Sequence, residues 1–181
     1  GRGISVLLVE QDDLAAHTSS ASTKLIHGGL RYLEQYEFRL VREALAERER
    51  LIYAAPHLVR PLQFVLPHDR RMRPRWMIRT GLFIYDRLGG GSSLPRSHAV
   101  KLRGTRYGMP LRKEFTRGFS YYDCWGDDSR LVVANARDAR KLGATILTRT
   151  ELLQAERTTA GWRALLALKN GRCMRVTAKI L

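Results

Sequence analysis

Cysteine is nearly absent from this chain: Cys124 and Cys173 are the two in 181 residues. They lie far apart and outside any Cys-x-x-Cys spacing, which argues against a disulfide framework or a thiolate zinc site and makes a reducing, cytosolic compartment the default. No metal site is expected. Long hydrophobic runs are missing too; no segment approaches the roughly 18 apolar residues of a membrane-spanning helix. The opening Gly1-Arg2-Gly3 leads into a strand-like run without the charged, apolar and small-residue zones of a signal peptide, so secretion has no support. Acidic residues are scarce, 17 against 32 Lys plus Arg, and the formal net charge is +15 with an isoelectric point near 10.7.

Against these absences, the 44% hydrophobic and 27% charged fractions are those of a globular chain, and the length fits one domain or parts of two. The basic excess attracts polyanions: nucleic acid, anionic lipid headgroups or a phosphorylated substrate. It does not choose among them. The arginines from Arg31 to Arg117, like those outside that span, are spread along the chain rather than packed into a tail, and no repeat or low-complexity tract is visible, so the charge belongs to a folded surface.

Ile4-Ser-Val-Leu-Leu-Val9 reads as a buried strand of a parallel sheet, closed by Glu10. An acid at such a strand end either accepts hydrogen bonds from a nucleotide ribose or is a solvated loop residue. The Gly1-x-Gly3 pair precedes a strand, whereas a phosphate fingerprint follows one and opens a helix; it fits the end of a preceding helix better. From Asp12 to Gly29 core residues are few and small hydroxyls many, followed by Lys24-Leu-Ile-His27-Gly28-Gly29. This stretch suits a pyrophosphate or flavin edge, or equally a surface loop with turn glycines.

Further along, residues 33–55 read as a helix with Phe38, Val41, Leu45 and Ile52 on one face and charges opposite. Pro61 and Pro67 bracket a strand, and Pro74 opens a helix reaching Leu88, with Arg70, Arg71, Arg73, Arg75 and Arg79 near its start and Trp76, Ile78, Phe83 and Tyr85 within it. Basic residues among aromatics suit a membrane interface or nucleic acid, but the apolar positions lie nearly all round the axis, as in a helix packed inside a cap domain. Gly89 to Ser93 is a flexible link. Residues 119–125 read as a strand, and Asp127 or Asp128 caps a helix over 129–142 that Gly143 ends. Strands follow at 144–148, 162–168 and 173–180, and the last pattern stops in mid-alternation, as in a chain that has been cut.

The run Thr18-Ser-Ser-Ala-Ser-Thr-Lys-Leu-Ile-His-Gly-Gly-Leu-Arg-Tyr-Leu-Glu34 closely resembles the flavin-linked, aerobic glycerol-3-phosphate dehydrogenase family. The likeness continues through Tyr36-Glu-Phe-Arg-Leu-Val41, Ala44-Leu-Ala-Glu-Arg-Glu49, Ala55-Pro-His-Leu58, Trp76-Met-Ile-Arg79, Tyr122-Asp-Cys-Trp125 and Asp127-Asp-x-Arg-Leu-Val132. It spans essentially the whole chain.

That resemblance implies an α/β fold: a fragment of an FAD-binding, doubly wound domain with part of a substrate cap. Residues 1–60 would belong to the FAD-binding domain, 61–125 to the cap, and 126–181 to the FAD-binding domain again. It implies oxidation of sn-glycerol 3-phosphate to dihydroxyacetone phosphate, with hydride passing to FAD and electrons to membrane quinone, on a protein held peripherally at the inner face of the cell membrane and its anionic lipid. A homodimer is compatible with it; nucleic acid is not among the implied partners. Carried over position by position, Glu10 takes the ribose, and Ser19, Ser22, Thr23, Lys24 and Leu25 lie along the FAD, with His27 as a flavin contact or a loop anchor. Arg31 and Tyr32 face the substrate, where a guanidinium clamps phosphate and a phenol orients a hydroxyl. The family's first strand with its Gly-x-Gly-x-x-Gly turn, and its catalytic base, have no counterpart in these residues, so the chain alone is expected to be inactive. Two rivals stand beside this reading: a related flavin oxidase that uses oxygen, and a basic nucleic-acid-binding module with Trp76, Tyr107 and Tyr121 as stacking residues.

Overall fold

The computed structural model describes residues 3–69 and 71–181; the expectations for Gly1, Arg2 and Arg70 lie outside the described residues. In chain order the elements are β1 (Leu7–Glu10), α1 (Thr18–Ala21), β2 (Leu25–Ile26), a 3-10 helix (Leu30–Gln35), α2 (Phe38–Ala54), β3 (Val59–Pro67) and α3 (Arg75–Leu88). They continue with β4 (His98–Lys101), β5 (Arg117–Gly126), α4 (Asp128–Lys141), β6 (Thr145–Thr148), β7 (Thr150–Thr158), β8 (Gly161–Leu168) and β9 (Cys173–Ala178). They fall into two units, one formed by Thr23–Asp127 and one by Gly1–Ser22 with Asp128–Leu181.

In the unit formed by the two ends of the chain, β1 pairs in parallel with β6, Leu7 opposite Thr145 and Glu10 opposite Thr148. A parallel pair requires a crossover, and α4 supplies its last leg. That helix starts on Asp128, whose Oδ1 accepts the Ser129 N–H at 3.0 Å, and carries Arg140 and Lys141 in its last turn, where the helix dipole favours cations. Gly143, at φ +97°, ends it, as its position in the sequence predicts. An antiparallel meander, β7-β8-β9, completes the unit. The expected burial of the first strand is not met: Val6, Leu7 and Leu8 are 40–48% exposed. Among the described residues β1 has one sheet neighbour, and a two-stranded pair leaves its apolar faces uncovered.

In the other unit β5 is central. It pairs antiparallel with β3 along its length, with β4 at its start and with β2 at its end. The aromatic content of residues 119–125, Phe119, Tyr121, Tyr122 and Trp125, fits this pleated, covered position. Val41 and Leu45 of α2 and Tyr85 of α3 form a buried cluster, against which Leu30, Leu33, Leu88 and Tyr121 pack. Tyr121 stacks on Phe64 at 5.2 Å and meets Tyr85 edge-on at 6.4 Å, arrangements that suit aromatic quadrupoles.

Three local expectations need correction. The helix expected over 33–55 is two elements, because Tyr36 takes a left-handed φ of +61° between the 3-10 helix and α2. Phe38, in the first turn of α2, is 40% exposed rather than part of the apolar face. Helix α3 is not packed all round: it buries Leu82 and Tyr85 on one side and leaves Trp76 67% exposed, with Phe83 also outward.

Candidate functional site

The residues singled out by sequence fall in both units, because the chain passes from one to the other between Ser22 and Thr23. In the first, Glu10 ends the parallel strand β1, and its Oε1 accepts the Asp12 N–H at 3.0 Å, closing a tight turn. Asp12 Oδ2 lies 2.8 Å from His17 Nε2, so Glu10, Asp12 and His17 gather at the strand's carboxyl end. Ser19 lies in α1, where the sequence shows a loop rich in hydroxyls, and Ser22 follows that helix directly. Both are tied to the start of α4: the Ser129 hydroxyl donates to the Ser19 carbonyl at 3.0 Å, and the Ser22 hydroxyl donates to Asp128.

In the second unit, Lys24 to Gly28 run along the end of β5. Lys24 adopts φ +61°, uncommon for a residue with a β-carbon and of the kind that clusters at ligand sites. Its carbonyl accepts the Gly126 N–H at 2.8 Å, after which Leu25 pairs with Trp125 and Ile26 with Cys124. Thr23 and His27 are exposed, and Leu25 is half-buried. Gly29, at φ +71°, turns the chain into the 3-10 helix that presents Arg31 and Tyr32, both exposed. Arg31 stands on the edge of a pocket of about 310 Å³ with Leu30, Leu33, Met72 and Met77, whose rim carries the Arg73–Glu34 pair at 3.3 Å.

Beneath this segment lies a network that sequence reasoning missed. The Tyr85 hydroxyl accepts the Gly28 N–H at 2.8 Å and donates to the Asp123 carboxylate, at 2.9 and 3.0 Å from its two oxygens. Arg48 donates through Nη1 to Asp123 Oδ1 at 2.6 Å and through Nη2 to Glu49 and Ser92, each at 3.0 Å. Glu49 is held in turn by the Ser93 N–H at 3.0 Å and hydroxyl at 2.8 Å. Burial raises the Asp123 carboxyl above its ordinary range, opposed by Arg48 and the Tyr85 hydroxyl. Burial, with the Asp123 charge beside it, also pushes the Tyr85 phenol up, so it remains a hydrogen-bond donor at any ordinary pH. One signal of the network is visible in sequence: Arg48 follows Leu45 by three positions and Val41 by seven, on the apolar stripe of α2 rather than opposite it.

Taken unit by unit, the residues have the chemistry that part of a flavin dinucleotide requires. In one unit an acid at the carboxyl end of a parallel strand is the acceptor that ribose hydroxyls require, and in the other a strained Lys24 precedes a segment whose backbone is pinned from below. The FAD dependent oxidoreductase family matches residues 1–178, and the chain belongs to that family.

Within it, the chain is similar to particular dehydrogenases. It is 56% identical over 181 residues to the glycerol-3-phosphate dehydrogenase of Pseudomonas aeruginosa, covering 100% of this chain and 35% of that protein. It is 57% identical over 164 residues to the aerobic glycerol-3-phosphate dehydrogenase of Escherichia coli, covering 90% of this chain and 32% of the other. It is equally 57% identical over 162 residues to the D-erythritol 1-phosphate dehydrogenase of Brucella abortus, with the same shares. The chain therefore spans about a third of the length of the curated relatives it matches. The solved glycerol-3-phosphate dehydrogenase of Bacillus halodurans, complexed with FAD, superposes on 99% of this chain and 29% of its own with a TM-score of 0.68 at 24% identity, a likeness of fold. No helix of the described residues is long and apolar enough to cross a membrane.

Proposed function

We propose that this chain serves a dehydrogenase that oxidises sn-glycerol 3-phosphate to dihydroxyacetone phosphate. The observation that carries the reading is the 56% identity along all 181 residues to a relative of that name. FAD, when bound, supplies the hydride acceptor that oxidation of a secondary alcohol to a ketone demands. Glu10 accepts hydrogen bonds from its ribose; Ser19, Ser22, Thr23, Lys24 and Leu25 hold the pyrophosphate, ribityl and ring portions, with His27 beside them. Arg31 binds the phosphate of the substrate, and Tyr32 orients the adjoining hydroxyl. The proton of that hydroxyl is not assigned to a base among these residues.

Membrane quinone is the proposed electron acceptor, on a protein docked peripherally at an anionic leaflet. The +15 charge supports that docking, because each Lys or Arg near such a surface contributes about 1 kcal/mol. A second reading, oxidation of D-erythritol 1-phosphate, is favoured by the 57% identity to a relative so named. Both substrates carry a terminal phosphate monoester beside a secondary alcohol, so Arg31 and Tyr32 serve either.

The test is the complete protein containing these residues: its flavin absorption, and its dye-linked oxidation of the two phosphates in competition. Yellow protein with the higher kcat/KM on glycerol 3-phosphate supports the first reading, and a preference for D-erythritol 1-phosphate selects the second. Colourless protein inactive on both overturns both readings. Oxygen uptake without a quinone analogue would assign the acceptor to oxygen instead.

A further inference from the structure

Gly28 is fixed by a side chain from a distant element rather than by its own strand. Its N–H is buried and donates to the Tyr85 hydroxyl at 2.8 Å, across 57 positions of sequence. A phenol can accept there because its own proton is directed elsewhere, to Asp123 at 2.9 and 3.0 Å. Asp123 is held in orientation by Arg48 at 2.6 Å, in a pair whose side chains are each 4% exposed. The adjoining residues of β5 take the other side of the same segment, Cys124 opposite Ile26 and Trp125 opposite Leu25. The strand β5 thus holds residues 25–28 twice: by backbone pairing at Leu25 and Ile26, and through Asp123 and Tyr85 at Gly28.

The fit at Gly28 is close. A β-carbon there would stand 2.8 Å from the Tyr85 hydroxyl oxygen and 2.6 Å from Leu45, itself 1% exposed. The residue after it, Gly29, is the left-handed turn into the 3-10 helix of Arg31 and Tyr32. Any displacement of Gly28 is therefore passed directly to the segment that presents those two side chains.

We propose that Tyr85 is a positioning residue for the dehydrogenase reaction: through the Gly28 N–H it fixes the His27–Tyr32 segment that meets flavin and phosphate. This rests on the functional reading above for what the segment touches, but not for what Tyr85 holds. Removing the hydroxyl leaves a buried N–H without an acceptor and strips one donor from Asp123, while the ring's packing against Tyr121 persists.

The experiment compares Tyr85→Phe with Leu102→Val in the complete protein. Leu102 is fully buried in the same unit and outside the network, so its truncation lowers stability without touching Gly28. Hydrogen exchange of residues 27–32 is read first and needs no activity. Tyr85→Phe should speed it about tenfold, and Leu102→Val should not once the two are compared at matched stability. With flavin content unchanged, Tyr85→Phe should also raise KM for glycerol 3-phosphate about tenfold, a change the control should lack. Unchanged exchange over 27–32, or a KM shift no larger than the control's, overturns the proposal. Faster exchange in a protein that neither holds flavin nor oxidises the substrate would leave Tyr85 as the anchor of Gly28 and overturn its part in the reaction together with the functional reading.

Discussion

Arg48 Nη1 lies 2.6 Å from Asp123 Oδ1, joining the middle of α2 to the central strand β5 across 75 positions of sequence. Neither side chain reaches solvent appreciably. Removing one partner of such a pair leaves the other charge buried, and breaking it costs about 3–5 kcal/mol.

Arg48→Met should therefore lower the unfolding free energy read from urea titration by an amount in that range. The double variant Arg48→Met, Asp123→Leu should lose less than the sum of the two single changes, since it leaves no buried charge behind. Additive losses would show that the pair is not coupled.

Glu49 makes the same network sensitive to acid. Burial opposes its ionisation, but the Ser93 N–H and hydroxyl, Arg48 and Ser92 together hold its carboxyl below the ordinary 4.5. A depressed carboxylate stabilises the fold fully above its unfolded value and loses that contribution as pH falls through the folded one. Asp123, raised above its ordinary 3.8 by burial, has the opposite sign and loses its contribution as pH rises. Unfolding followed from pH 6 to pH 3 should show a shallower loss of stability in Glu49→Gln than in the unsubstituted protein. Parallel curves would remove Glu49 from the acid response.

The two thiols should separate cleanly by reactivity. Cys124 has no exposed surface, and burial pushes its thiol up to about 11, while Cys173 is exposed at the start of β9. Since the thiolate is the reactive form, iodoacetamide at pH 8 should label Cys173 in the native protein and reach Cys124 only after denaturation. Peptide masses decide it, and native labelling of Cys124 would contradict its placement.

Much of the fold is legible in the sequence where one residue type dominates a local pattern. Pro74 and Gly89 bracket α3, Asp128 and Gly143 bracket α4, and the alternation from Cys173 marks β9. The strand β7 is not legible, because Thr-Glu-Leu-Leu-Gln-Ala-Glu-Arg-Thr breaks its alternation at the bulge between Leu152 and Gln154. The bend at Tyr36 is hidden for a related reason: a left-handed tyrosine carries no glycine to announce it. The motif from Thr18 to Glu34 is plain in the sequence, and its exposed Arg31 and Tyr32 stand together on one short helix. Its support from Arg48, Tyr85 and Asp123 is not, because three separate elements must fold before those residues meet.

We propose that the segment from Lys24 to Tyr32 binds flavin and a phosphorylated alcohol, with Arg31 on the phosphate. The most direct measurement is kcat/KM of the complete protein and of its Arg31→Ala variant on glycerol 3-phosphate, with bound flavin quantified in both. Losing a charge-assisted phosphate contact of about 1.5–3 kcal/mol predicts a fall of roughly 10- to 150-fold with flavin retained. An unchanged kcat/KM in a fully flavinated variant would contradict the account.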